Sequence, residues 1–186
     1  AQVLGHESIT QGDKDFTSVL TKIKSLQPDL IFFGGIYPEA ALLLRQSRAL
    51  ALTAQFMGGD GLYDTGLIQL ATPETAEGCL VTFFGGDMEE LPTAKEFVKA
   101  YKAKYGPLGP FSTYAYDATN ILIDAIKRAG KKDRPAVLEE VKKTKDFHGA
   151  LGVTNFDSYG DTGNKLIGIF QVKSGKFTYL GTAESD

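Results

Sequence analysis

Apolar positions change their spacing several times along the chain, and each change marks an element. Phe16, Val19, Leu20 and Ile23 recur at i, i+3, i+4 and i+7, which puts them on one face of an amphipathic helix. The acidic turn Gly12-Asp13-Lys14-Asp15 precedes that helix and Pro28-Asp29 ends it. Leu30-Ile31-Phe32-Phe33 is then continuously apolar and stops at Gly34-Gly35, which is how a strand buried on both faces reads. Pro38 suits the first turn of the next helix, expected over 38–50, because its missing N–H would lack a helical partner there. The unit repeats with a short strand at 55–57 running into Gly58-Gly59-Asp60-Gly61, a short helix around 64–70 and a strand at 79–83 with Cys79 inside it. Residues 1–7 also read as a strand. Strand–helix alternation of this kind predicts an α/β fold with a doubly wound parallel sheet.

After Phe84-Gly85-Gly86 the pattern turns helical. Phe97, Val98, Tyr101 and Tyr105 mark one helix. Ala118, Ile121, Leu122, Ala125 and Ala129 mark a second, closed by Gly130, a natural residue for the position just past a helix. Val137, Leu138 and Val141 mark a third. No strand is expected between them, so their apolar faces have no sheet of their own to cover. The pattern returns to β with a strand at 152–157, a polar turn at 158–164, and a hairpin from Ile167 to Leu180 turning at Ser174-Gly175. His148, beside Gly149, is expected in a turn.

Composition narrows the function. The chain has 186 residues, 42% of them hydrophobic, and a formal net charge of -3. That supports a real core and makes nucleic acid or an anionic membrane surface a poor partner. The single cysteine, Cys79, excludes an internal disulfide framework. His6 and His148, the two histidines, are too far apart for HExxH zinc chemistry. No apolar run approaches the ~20 residues of a membrane span, and no charged segment leads into a long apolar run as in a leader peptide. Neither a cofactor nor a metal is expected.

Ligands of open parallel sheets sit beyond the carboxyl ends of the strands. Two such ends stand out, Gly34-Gly35-Ile36-Tyr37-Pro38-Glu39 and Gly58-Gly59-Asp60-Gly61. Glycine lets a ligand approach the backbone, and Asp60 could accept a charge-assisted bond from a ligand ammonium. A plain turn would use Gly-Asp-Gly as well, and spacing leaves both readings open. Tyr37 and Phe111 are candidate aromatic walls, or else packing residues. Asp-Thr-Gly occurs twice, at 64–66 and 161–163. Paired triplets of this kind mark aspartic proteases, but Asp64 heads an expected helix and Asp161 lies in a polar turn. There is no Gly-x-Ser-x-Gly elbow and no phosphate loop, which weighs against a small α/β enzyme of the flavodoxin or hydrolase type. Lys127 to Lys132 ends a helix, where cations oppose the negative end of its dipole.

Several segments taken in order carry a resemblance. They are Asp13-Lys14-Asp15-Phe16, Gly34-Gly35 with Pro38-Glu39, Gln55-Phe56-Met57-Gly58-Gly59-Asp60-Gly61, Ala76-Glu77-Gly78, Tyr116-Asp117-Ala118 and Gly152 to Asp157. Together they resemble the periplasmic leucine/isoleucine/valine-binding proteins, the solute receptors of branched-chain amino acid ABC importers. The resemblance implies a two-lobed, type I periplasmic-binding fold that closes on its ligand, acts without bond chemistry, resides in the periplasm or is lipid-anchored outside the cell, and meets a membrane permease. It further implies that residues 1–83 belong to the C-terminal lobe, 84–165 to the N-terminal lobe, and 166–186 to a hairpin returning to the first. The N-terminal half of the family's fold would then be absent here. Apolar faces around Tyr101, Ile121 and Val141 would be left exposed, or covered by a second copy in a homo-oligomer.

By the same resemblance Asp60, with Gly59 beside it, falls where the family binds the ligand's α-ammonium. Ile36 falls where some members place a closing aromatic, which here stands one place later as Tyr37, and Phe111 falls near the ligand side chain. The expected ligand is a branched-chain or similar apolar amino acid, with a neutral amide or urea as a variant. The alternative is a ligand-sensing domain of the same fold in a receptor or regulator.

Overall fold

Parallel pairing of three short apolar strands organises the first part of the molecule. The computed structural model describes residues 1–163 and 165–183. Asn164, which closes the turn expected at 158–164, and residues 184–186 at the end of the expected hairpin segment lie outside the described residues. In chain order the elements are α1 (Thr17–Ser25), β1 (Leu30–Phe33), α2 (Tyr37–Ala49), β2 (Gln55–Gly58), α3 (Thr65–Ala71), α4 (Pro73–Ala76) and β3 (Leu80–Phe84). Then follow α5 (Lys95–Tyr105), α6 (Ser112–Ala129), α7 (Arg134–Lys142), β4 (Phe147–Gly149), β5 (Gly152–Thr154), β6 (Ile167–Lys173) and β7 (Lys176–Thr182). The chain divides into two compact units, one formed by Ala1–Phe84 with the chain from Ile167 onward, the other by Gly85–Leu166.

The first unit holds a five-stranded sheet in the order β1-β2-β3-β6-β7. β1, β2 and β3 run parallel, and the β6–β7 hairpin joins β3 antiparallel. Register fixes which side chains share a face. Ile31 pairs with Phe56, Gly58 with Val81, and Val81 with Phe170. These residues join Phe16 and Leu20 ahead of and on α1, Leu43 and Leu44 of α2, Leu67 of α3 and Val172 of β6 on the covered side. α1 to α4 therefore pack on one face of the sheet. Several helix starts are built as the sequence suggests. Pro38 lies at the start of α2, and the Asp64 side chain accepts from Gly66 N at 2.7 Å to cap α3.

In the second unit α5, α6 and α7 accompany a small β4–β5 hairpin. Its buried cluster is Ala94, Val98 and Ala150, backed by Leu91, Phe97 and Leu108. α6 turns Thr113, Asp117, Ile121 and Ala125 inward, and Gly130 ends it in the left-handed conformation at φ 64°.

Five expectations need correction. Residues 1–7 form no strand and lie exposed, because a strand exists only by pairing and no described strand pairs with this segment. Lys22 Nζ holds Glu7 Oε2 at 3.3 Å, which keeps the segment against α1. Cys79 precedes β3 instead of lying within it, with its side chain buried; that burial pushes its thiol pKa up to about 12. His148 is not in a turn but in β4, opposite Val153, and the strand expected at 152–157 stops at Thr154. Ile121 is buried and Tyr101 and Val141 are half-buried. The exposed apolar surface of α6 lies around the helix at Tyr116, Leu122, Ile123 and Ile126.

Candidate functional site

The carboxyl ends of β1 and β2 are built by close backbone approach. After β2 the chain passes Gly59 and enters a single 3-10 turn at Asp60–Leu62. A Cβ at Gly61 would collide with the Gly35 carbonyl oxygen and would sit 3.3 Å from Ile36 Cγ2, so glycine here is what lets the two strand ends touch. Ile36, in extended backbone at φ -113° and ψ 163°, is the residue ahead of the first turn of α2. Thr82 Oγ1 ties β3 to β2 through Gly58 O at 3.4 Å.

The end of β2, the end of β3 and the start of β6 border a concavity of about 140 Å³ lined by Gly59, Asp60, Thr82, Phe83, Phe84 and Ile167. Phe83 stacks on Phe84 with centroids 4.2 Å apart and meets Tyr63 at 4.6 Å, so two aromatic side chains are part of the lining. Asp60 is exposed at its rim, and none of the hydrogen bonds or ion pairs among the described residues engages its carboxylate. The volume falls well short of the about 300 Å³ or more of a complete small-molecule pocket. The arrangement sets a carboxylate able to accept a charge-assisted bond next to an apolar surface.

The expected residues distribute unevenly. Asp60 and Gly59 line the concavity. Ile36 stands next to Gly61. Tyr37 packs on the core of the first unit, and a Cβ at Gly66 would lie 2.6 Å from its ring. Phe111 precedes α6 in the other unit and is exposed. Thr82, Phe84 and Ile167 escaped the sequence reading; strand register, which no local pattern carries, brings Phe84 opposite Ile167. Among the described residues no group of three or more His, Cys, Asp or Glu is placed to hold a metal ion. No helix among them is long and apolar enough to cross a membrane.

Known proteins match this chain over nearly its whole length. The sequence profile of the periplasmic binding proteins matches residues 1–176. The chain is 35% identical over 172 residues to the Leu/Ile/Val-binding protein BraC3 of Rhizobium johnstonii, covering 92% of this chain and 46% of that one. It is 33% identical over 180 residues to Leu/Ile/Val-binding protein homolog 1 of Brucella suis, covering 94% and 47%. The structure of the leucine-binding protein LivK from Thermotoga maritima superposes with a TM-score of 0.84 at 39% identity, over 94% of this chain and 50% of that chain. LivJ from Streptococcus pneumoniae, a branched-chain amino acid transporter substrate-binding protein in complex with isoleucine, gives 0.80 at 32%, again over 94% and 50%. The chain thus spans about half the length of the relatives it matches, and those relatives are named as binding proteins.

Proposed function

Because the chain belongs to the periplasmic binding protein family, we propose that it is part of a solute receptor that binds a branched-chain or similar apolar amino acid for an ABC importer. The observation that carries this reading is the unengaged Asp60 carboxylate at the rim of an apolar concavity, in a chain whose relatives are named for binding leucine, isoleucine and valine. The α-ammonium of an amino acid would meet Asp60. Its side chain would lie against Phe84 and Ile167, and Ile36 would stand over the approach to Gly61. In the complete protein two lobes would close on the ligand, with 1–83 and 166–186 in the C-terminal lobe and 84–165 in the N-terminal lobe. Phe111 would then contribute from the second lobe and Tyr37 would support the first. Such a receptor works outside the cytoplasm and hands its ligand to a membrane permease. Binding here requires no bond chemistry, only burial and charge pairing.

The test is a thermal melt of this chain with leucine, isoleucine or valine, and with lysine or glutamate as controls. Ligand at a hundredfold excess over Kd stabilises a protein by about 2.7 kcal/mol. The expected result is a rise in Tm with the branched-chain amino acids alone, abolished in Asp60→Ala. A melt that none of them moves would refute binding by this chain.

A further inference from the structure

Tyr63 closes the turn that carries Asp60 and ties it to the far side of the sheet. Its amide donates to Asp60 O at 3.0 Å, and Leu62 N donates to Gly59 O at 3.0 Å. Its ring lies against three others, Phe83 of β3 at 4.6 Å, Phe170 of β6 at 4.5 Å and Phe177 of β7 at 4.8 Å between centroids. All three pairs are tilted, an arrangement that ring quadrupoles favour. β3, β6 and β7 are consecutive in the sheet, so one ring spans three strands.

The turn itself has little to hold it. A single 3-10 turn has poor hydrogen-bond geometry, so its place is set by what its residues touch. Gly61 lies against the Gly35 carbonyl, and Leu62 is fully buried against Gly58. A Cβ at Gly59 would meet nothing within 4 Å. The turn is therefore packed on one side and open on the other, and Asp60 is exposed. Tyr63 reaches the concavity a second way, because its neighbour Phe83 belongs to the lining.

We propose that Tyr63 is a positioning residue for recognition of the ligand ammonium: its ring anchors the Asp60 turn to the β6–β7 hairpin and so fixes the carboxylate beside the apolar surface. This rests on the reading of Asp60 as the ammonium partner. A carboxylate already held in place binds without the cost of ordering its turn. Tyr63 therefore governs how strongly an amino acid is preferred over the same carbon skeleton without its amino group. It does not govern how well the apolar side chain is held.

The experiment compares the wild-type chain with four variants. Tyr63→Leu removes the ring, Tyr63→Phe keeps it, and Phe177→Leu removes one partner ring without touching the turn. Leu20→Val loosens the same core at α1, far from the turn in sequence. The first readout is backbone order by 15N relaxation with no ligand present. Amides at 60–62 should be rigid in the wild-type chain, at an order parameter of about 0.85, and fall below about 0.6 in Tyr63→Leu. The second readout is the affinity for leucine relative to 4-methylpentanoate, which is leucine without its amino group. Tyr63→Leu should lower that preference by about tenfold, the worth of one charge-assisted bond, with affinity for 4-methylpentanoate changing less than about twofold. Phe177→Leu should move both readouts in the same direction, which keeps the test decisive if Tyr63→Leu does not fold. Tyr63→Phe and Leu20→Val should move neither. Unchanged order at 60–62 in the ring-removing variants overturns the proposal, as does an equal loss of affinity for both ligands or an equal effect of Leu20→Val. A wild-type chain that binds no leucine refutes the ligand reading alone, and the order parameters still decide the anchoring.

Discussion

Buried polar groups decide local geometry at the scale of single residues, and Asp117 is the clearest case. Its side chain is 2% exposed, and its two oxygens accept from Ala150 N at 2.9 Å and Leu151 N at 2.7 Å. Both bonds run from α6 to the turn between β4 and β5. A Cβ at Gly149 would collide with the same carboxylate, so Asp117 and Gly149 form one device. Asp117→Ala leaves two backbone donors without partners and is expected to destabilise the Gly85–Leu166 unit by about 2–4 kcal/mol, read by urea denaturation followed at the tyrosines. Gly149→Ala should act in the same direction. Asp157 works by the same chemistry at the surface. The amides of Asp161 and Tyr159 hold its carboxyl below the usual carboxylate range. Asp15 is lowered by Thr17, and Glu139 and Glu140 are lowered by hydrogen bonds from Lys142 and Lys143. Their folded-state pKa values lie below the unfolded ones. The stability they contribute is therefore complete above the unfolded value of 3.8 for aspartate or 4.5 for glutamate, and is lost as pH falls through the folded value. Urea midpoints should hold between pH 6 and 5 and drop below pH 4, with a smaller drop in Asp157→Asn.

Elements are where the sequence was most legible, and also where it misled. The strand at Leu30 to Phe33, the α2 start at Pro38 and the hairpin turning at Ser174-Gly175 were readable because apolar runs and turn residues act locally, but the burial expected on both faces of that strand is not found, since Leu30 and Phe32 are exposed. Residues 1–7 were not readable in the same way, since strand character there depends on a neighbour that the local sequence does not contain. β4 escaped because three residues, Phe147–Gly149, are too few to show a period. At the candidate site the glycines advertised Asp60, whereas Thr82, Phe84 and Ile167 arrive through register between distant strands. One arrangement invisible to pattern is the clamp on the loop ahead of α1. Gln46 of α2 accepts from Phe16 N at 2.7 Å and donates to Lys14 O at 2.8 Å, while Glu39 Oε1 accepts from Gly12 N at 2.9 Å. The clamp seats Phe16 in the core. Gln46→Ala should cost about 1–3 kcal/mol and speed hydrogen exchange at Phe16 and through α1, leaving β2 and β3 unchanged. Equal loss of protection in β2 would show that the clamp serves the whole unit.

At the scale of the molecule the two units differ in what holds each together. In the first, large side chains close over one sheet face; Phe56, Leu20, Leu44, Leu67 and Val81 are all fully buried. In the second, the buried cluster among the described residues is Ala94, Val98 and Ala150, and α6 spends its inward face on Thr113 and Asp117 as well as Ile121 and Ala125. Small side chains bury little apolar area, and each Å² contributes only about 25 cal/mol. Leu122, Ile123 and Ile126 add less than core residues would, because nearly half of each is exposed. The Gly85–Leu166 unit should therefore open first. Urea unfolding is expected in two steps, with amides of α5 to α7 exchanging through an opening of lower free energy than those of β1 to β3. Substitutions then separate the steps. Val98→Ala should shift only the first, and Leu44→Ala only the second, by about 2–5 kcal/mol. A single transition that both variants shift together would mean that the two units fold as one, and that the sheet unit lends the helical unit the stability its own core lacks.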